Sequence, residues 1–136
     1  MENDARTAGW RGFSALQWAR LVATGVVVWL LGALLLRFLA PLGAYNGLGR
    51  VLMYALIIPG TLPLVLALPV LAGIRRSAIA AGTAIVVASA ILMDGIALAW
   101  FPVLYGETVA QHAGAGAAIL WGGAIALFLG FLCTRD

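Results

Sequence analysis

One carboxylate stands inside an apolar stretch, SAILMDGIALAW (residues 89–100): Asp94. A carboxyl in such a setting can hold a proton or a cation, or it can pair with a base. The base within reach is Arg37, in WLLGALLLRFLAPLG (29–43). Counting helical rise outward from Arg20 and from Ser77 puts Arg37 and Asp94 each roughly 25 Å beyond the inner membrane edge. They are therefore expected at one level, as an intramembrane ion pair between two helices. An unpaired charge at mid-membrane costs roughly 2.5–3.5 kcal/mol on insertion scales, and a partner offsets much of that. Two roles follow. Asp94 is either a transport site for a proton or cation, gated by Arg37, or one half of a fixed structural pair whose arginine partly snorkels to the headgroups. The structural role is the expectation, because the pair lies near an interface and no second acid accompanies it.

The rest of the chemical inventory is sparse. His112 is the sole histidine and Cys133 the sole cysteine, so no disulfide, thiolate cluster or metal-ligand spacing is available. No nucleophile–base pair, phosphate loop or dinucleotide fingerprint occurs, and no enzymatic activity is expected. Thr24, Thr61, Thr83 and Ser89 are expected to satisfy their hydroxyls on the backbone one turn back. Trp29 and Trp121 fall near mid-depth, as packing groups or as contacts for a quinone or lipid tail.

Composition says what must position these groups. Of 136 residues 64% are hydrophobic and 10% charged, with a mean hydropathy of +1.08. Such a chain cannot supply a soluble domain's polar surface. Four stretches reach the roughly 20 apolar residues a span requires: 21–40, 51–72, 78–101 and 113–133. The connections are short, which predicts an all-α, up-down antiparallel bundle of four transmembrane helices. Arg6, Arg11, Arg20, Arg75, Arg76 and Arg135 fall on one side, against Arg37 and Arg50 with Glu107 on the other. The positive-inside rule then makes both termini cytoplasmic, with residues 1–20 and 134–136 as tails. The first span reads as a retained anchor, and GWRGFSALQW (9–18) as a candidate interfacial helix. Tyr45, Trp100 and Tyr105 are expected at the outer interface.

Two backbone patterns add to this. Pro59 and Pro63, one turn apart and followed by Pro69, are expected to kink the second span. The fourth span repeats a small residue every fourth position: Gly114, Ala118, Gly122, Ala126 and Gly130. This ladder is a helix-packing face, for a partner in this chain or another. A leucine at Gly122 is accordingly expected to disrupt packing more than one at Gly123.

WLLGALLLRFLAPLG (29–43) and LMDGIALAWFPVLYG (92–106), with LWGGAIAL (120–127), resemble a family of small bacterial four-helix membrane proteins known only as a domain of unknown function. The resemblance covers most of residues 20–133. It implies the four-span architecture and supports Arg37 and Asp94 as a pair, and it implies no activity. The resulting expectation is a non-enzymatic accessory or scaffold subunit of the bacterial inner (plasma) membrane. It would pack against a larger respiratory or photosynthetic complex, or against itself as a homo-oligomer. Two alternatives stand beside it: a small oligomeric transporter or channel using Asp94 and Arg37, and a quinone- or lipid-binding membrane protein. Beyond bound lipid or quinone no cofactor is expected, and no clustered basic face suggests nucleic acid.

Overall fold

The computed structural model describes residues 12–136. Among them are four long helices and no strand: α1 (Ala15–Leu39), α2 (Gly47–Ala72), α3 (Ile79–Trp100) and α4 (Val109–Cys133). All four are long and apolar enough to cross a membrane. Local chemistry sets their ends. Ser14 and Gln17 form a reciprocal capping box at the start of α1, and Thr108 and Gln111 do the same for α4. Helix α2 stops at Gly73, whose φ of 67° suits the left-handed cap. Helix α3 ends just before Phe101–Pro102, since proline disfavours a helical residue ahead of it.

The first helix begins six residues earlier than the apolar stretch at Leu21, inside the segment read as a tail. Residues 9–11 lie outside the described residues, and from Ala15 onward the chain already belongs to α1. The stretch 9–18 is therefore not a separate interfacial helix over its described part. Phe13 and Trp18 meet edge to face at 6.3 Å and pack on a core of Leu21, Leu68, Ala72 and Ile74. Helix α2 runs uninterrupted through Pro59, Pro63 and Pro69. Each proline removes one ladder hydrogen bond, yet none breaks the helix.

Consecutive helices alternate in direction, and of the consecutive pairs only α3–α4 is a main packing contact. Helices α1 and α3 run side by side in the same direction: Leu21 approaches Gly82, Gly25 approaches Val86 and Ser89, and Arg37 reaches Val103. Helices α2 and α4 are a second parallel pair, with Tyr54 stacked on Trp121 and Ile57 against Gly122. Antiparallel packing of α3 on α4 joins the pairs, through Gly130 on Thr83 and Gly123 on Ile91. The order around the bundle is α1–α3–α4–α2, so the up-down connectivity holds while the consecutive pairs α1–α2 and α2–α3 touch only lightly.

Small residues decide this arrangement. A Cβ added at Gly25 would lie 2.6 Å from both the Val86 carbonyl oxygen and the Ser89 Cβ, so α1 and α3 approach backbone to backbone. The α4 ladder turns inward: Gly114 lies under the Tyr45 ring, Ala118 and Ala126 are buried, and Gly130 lies under Thr83. Its partners are helices and loops of this same chain. Room for a Cβ is greater at Gly122, on the ladder, than at Gly123 beside it. A Cβ at Gly122 would meet only Ile57, at 3.7 Å, whereas one at Gly123 would crowd Ile91 at 3.1 Å.

Arg20, Arg75, Arg76 and Arg135 gather at the end where the Gln17 amide donates to the Gly73 carbonyl and the Arg135 N–H to that of Arg76. Arg37 lies at the other end, near Glu107. Arg6 and Arg11 lie outside the described residues. For the α1–α3 contact, Gly25→Ala should lower thermal stability in detergent by about 1–3 kcal/mol, the usual penalty of overpacking. Gly60→Ala, where an added Cβ meets nothing within 4 Å, should be neutral or slightly stabilising. Equal effects at the two positions would remove Gly25 as the determinant of register.

Candidate functional site

Beyond α3 the chain forms a short 3₁₀ turn, Pro102–Tyr105, that directs Tyr105 back into the bundle. Tyr105 is fully buried rather than interfacial. Its hydroxyl donates to Asp94 Oδ1 at 2.5 Å and accepts from the Trp29 indole N–H at 3.0 Å. Gly106 makes the turn possible: its φ is 153°, and a Cβ there would lie 2.8 Å from the Gln111 side chain. Burial, and after it the hydrogen bond to Asp94, push the Tyr105 hydroxyl well above the ordinary phenol range, with the Trp29 N–H opposing. Tyr105 therefore remains a proton donor to the carboxyl.

Arg37 is not that donor. Its guanidinium donates to the Val103 carbonyl, so the expected Arg37–Asp94 ion pair is replaced by two separate hydrogen bonds. The reason is register. Gly25 lies against Val86 and Ser89, which sets α1 about six residues, or roughly 9 Å, further along α3 than counting from Arg20 and Ser77 suggests. Arg37 is carried past Asp94 to the end of the bundle, and Trp29 and Ala33 arrive at the carboxyl's level instead. Asp94 itself is buried, only 8% exposed.

The hydroxyls divide unevenly. Thr24, Thr61 and Ser89 donate to the carbonyls of Arg20, Ile57 and Ile85 one turn back, as expected. Thr83 does not. It is 2% exposed, and its Oγ1 has no hydrogen-bond partner. Asp94 and Thr83 both line one cavity of about 230 Å³ at the centre of the bundle. All four helices contribute to it, through Trp29, Gly32 and Ala33, Ile57 and Val65, Val87 and Ala90, and Gly122 and Ala126 among others. The lining is otherwise apolar apart from Thr61, whose hydroxyl is already bonded.

The remaining candidates fall elsewhere. Trp121 stacks on Tyr54 at 5.3 Å and donates to the Tyr54 carbonyl, outside the cavity. His112 Nε2 lies 2.9 Å from the Gly106 carbonyl and braces the turn. Cys133 is a free thiol at the end of α4. Among the described residues no three His, Cys, Asp or Glu side chains are grouped to hold a metal ion. Sequence reasoning found Asp94 and weighed Trp29, but missed Tyr105. The available signal was Pro102, which stops α3 and lets the following residues turn back.

No family model, curated protein or solved structure matches this chain. The site itself must carry the functional argument.

The hydrogen-bond assignment has a direct test. In a mutant cycle scored by thermal stability, Tyr105→Phe should cost about 1–3 kcal/mol, because it strands a buried acceptor and the Trp29 donor. Tyr105→Phe and Asp94→Asn should couple by at least about 0.5 kcal/mol, whereas Arg37→Gln and Asp94→Asn should add within that margin. Coupling of Arg37 to Asp94 in place of Tyr105 would reinstate the ion pair.

Proposed function

We propose that this protein is a non-enzymatic, multi-pass protein of the bacterial inner membrane that binds a hydrophobic small molecule inside its helical bundle. The observation that carries this reading is the central cavity. Well-packed interiors hold few voids larger than a water molecule, and an apolar cavity of about 150 Å³ already binds benzene. This cavity measures about 230 Å³. An occupant of this space would contact all four helices, and the lining sets its character: an apolar body with one polar end near Asp94. Apolar walls with a small number of placed polar groups are the usual form of a small-molecule site.

The other two readings have less behind them. Docking on a larger complex was argued from the α4 ladder, and the ladder is occupied by the chain's own Tyr45, Ile57 and Thr83. Transport was argued from an Arg37 gate over Asp94, and Arg37 bonds to Val103.

The test is ligand-dependent stability in a mild detergent. A naphthalene-sized apolar compound should raise the unfolding temperature saturably, by an amount equivalent to about 2–3 kcal/mol near a hundredfold excess over Kd. Gly122→Leu, with room for its Cβ beside Ile57, should fill part of the cavity, keep the fold and abolish the response. An unchanged response in that variant would place binding outside the bundle core and overturn the reading.

A further inference from the structure

We propose that the cavity selects a lipophilic cation, an amine or quaternary ammonium on an apolar body, with its charged end at Asp94 and its body directed toward Thr83. The inference rests on the cavity-binding reading above and adds the chemical class of the ligand. It follows from an account of donors and acceptors at the Asp94 end. The Trp29 N–H is given to the Tyr105 oxygen, and the Tyr105 proton to Asp94 Oδ1. The Trp29 donor, which lines that end, and the Tyr105 donor bonded to Asp94 are therefore both used. What remains is acceptor capacity: among the described residues, Asp94 accepts this single side-chain hydrogen bond, and its Oδ2 is free. With Asp94 ionised, a quinone carbonyl or a fatty-acid carboxylate finds no unused donor at this end. A carboxylate ligand would also face the Asp94 charge.

Charge points the same way. Asp94 is 8% exposed and lines an apolar cavity, and the nearest arginine is engaged by a backbone carbonyl at the end of the bundle. An ionised carboxylate removed from water is stabilised by a countercharge, and the cavity is a space from which one can approach. Trp29 lines that space as well, and an indole is the strongest aromatic partner for a cation. At the other end Thr83 Oγ1, buried and unpartnered, offers one hydrogen bond to a polar substituent. The two groups are eleven residues apart on α3, so the ligand body spans at most roughly 16 Å.

The experiment uses three probes with one body: (2-naphthylmethyl)trimethylammonium, 2-naphthylmethanol and 2-naphthoate. Each is titrated calorimetrically into the purified full chain in nanodiscs of zwitterionic phosphatidylcholine, with empty nanodiscs subtracted. The ammonium should bind at least about tenfold more tightly than the alcohol, and the carboxylate should be weakest. Asp94→Asn should erase the ammonium preference, leaving ammonium and alcohol within about twofold of each other. Gly122→Leu should abolish both. Equal binding of ammonium and alcohol, lost in Gly122→Leu, overturns the cation proposal and leaves the cavity reading standing. No saturable binding of any probe overturns the cavity reading itself. An ammonium preference that persists in Asp94→Asn overturns the assignment of the headgroup to Asp94. If Asp94→Asn does not fold, the wild-type ranking of the three probes and competition between ammonium and alcohol still decide the question.

Discussion

The arrangement of this protein follows from how Asp94, a buried carboxyl among apolar helices, is satisfied from within. Its partner is Tyr105, carried on a connection that turns back into the bundle at Pro102. The Trp29 N–H then satisfies the tyrosine oxygen, so three elements, α1, α3 and the turn ahead of α4, are joined through one phenol. Hydrogen-bond chains of this kind strengthen in a low dielectric, and the same low dielectric penalises any unpaired member. The turn is thereby held against the bundle. His112 and Gln111, on the first turns of α4, support it from the other side through Gly106 and Glu107.

Lipid supplies no hydrophobic drive for helix association, so close packing of small residues has to decide which helices meet. Gly25 against Val86 and Ser89 fixes α1 on α3, and Gly130 against Thr83 fixes α4 on α3. These contacts lie toward the arginine-rich end. Further along, Gly32, Ala33, Ala90, Gly122 and Ala126 present little side-chain volume to a common centre, and the helices do not collapse onto one another there. The cavity results from close approach at one level combined with small side chains at the next. Helix α3 belongs to both: its one face carries Thr83 where packing is tight and Asp94 where it is open.

Much of this was legible in the sequence, and the parts that were not share a cause. Four apolar runs of sufficient length gave the four helices, and the capped starts at Ser14 and Thr108 shifted only their ends. Asp94 stood out because a lone acid in an apolar run is conspicuous in any arrangement. Its partner did not, because depth counted from each helix's start assumes that both starts lie at one level. The true register depends on where Gly25 finds a complementary small surface, which is a tertiary match between two chain segments more than sixty residues apart. Tyr105 was misplaced for a related reason: an aromatic after a helix end reads as interfacial unless the turn reverses, and the Gln111 side chain that leaves room only for glycine at position 106 is a tertiary neighbour. The α4 ladder was visible as a face, but small-residue spacing does not encode its partner. Thr83 breaks the one-turn-back rule that Thr24, Thr61 and Ser89 obey, and nothing local distinguishes it from them.

The light contact between α1 and α2 bears on how an occupant reaches the cavity. These helices are consecutive in sequence, yet neither presents the other with a matched small surface: an added Cβ at Gly32 or at Gly60 meets nothing within 4 Å. Leu35, which lines the cavity from α1, is 56% exposed. The tightly packed seams are α1–α3, α3–α4 and α2–α4, leaving the α1–α2 side as the weakest wall. At the far end the Tyr105 turn closes over Asp94, so the route with least resistance runs sideways, through that wall, from the hydrocarbon region. A molecule taking it must first dissolve among lipid tails, which favours an apolar body, and must then hold its polar end against a carboxyl, which favours a donor. Under the proposed function, entry and recognition select the same amphipathic chemistry, and both trace to a bundle that closes tightly on three sides and loosely on the fourth.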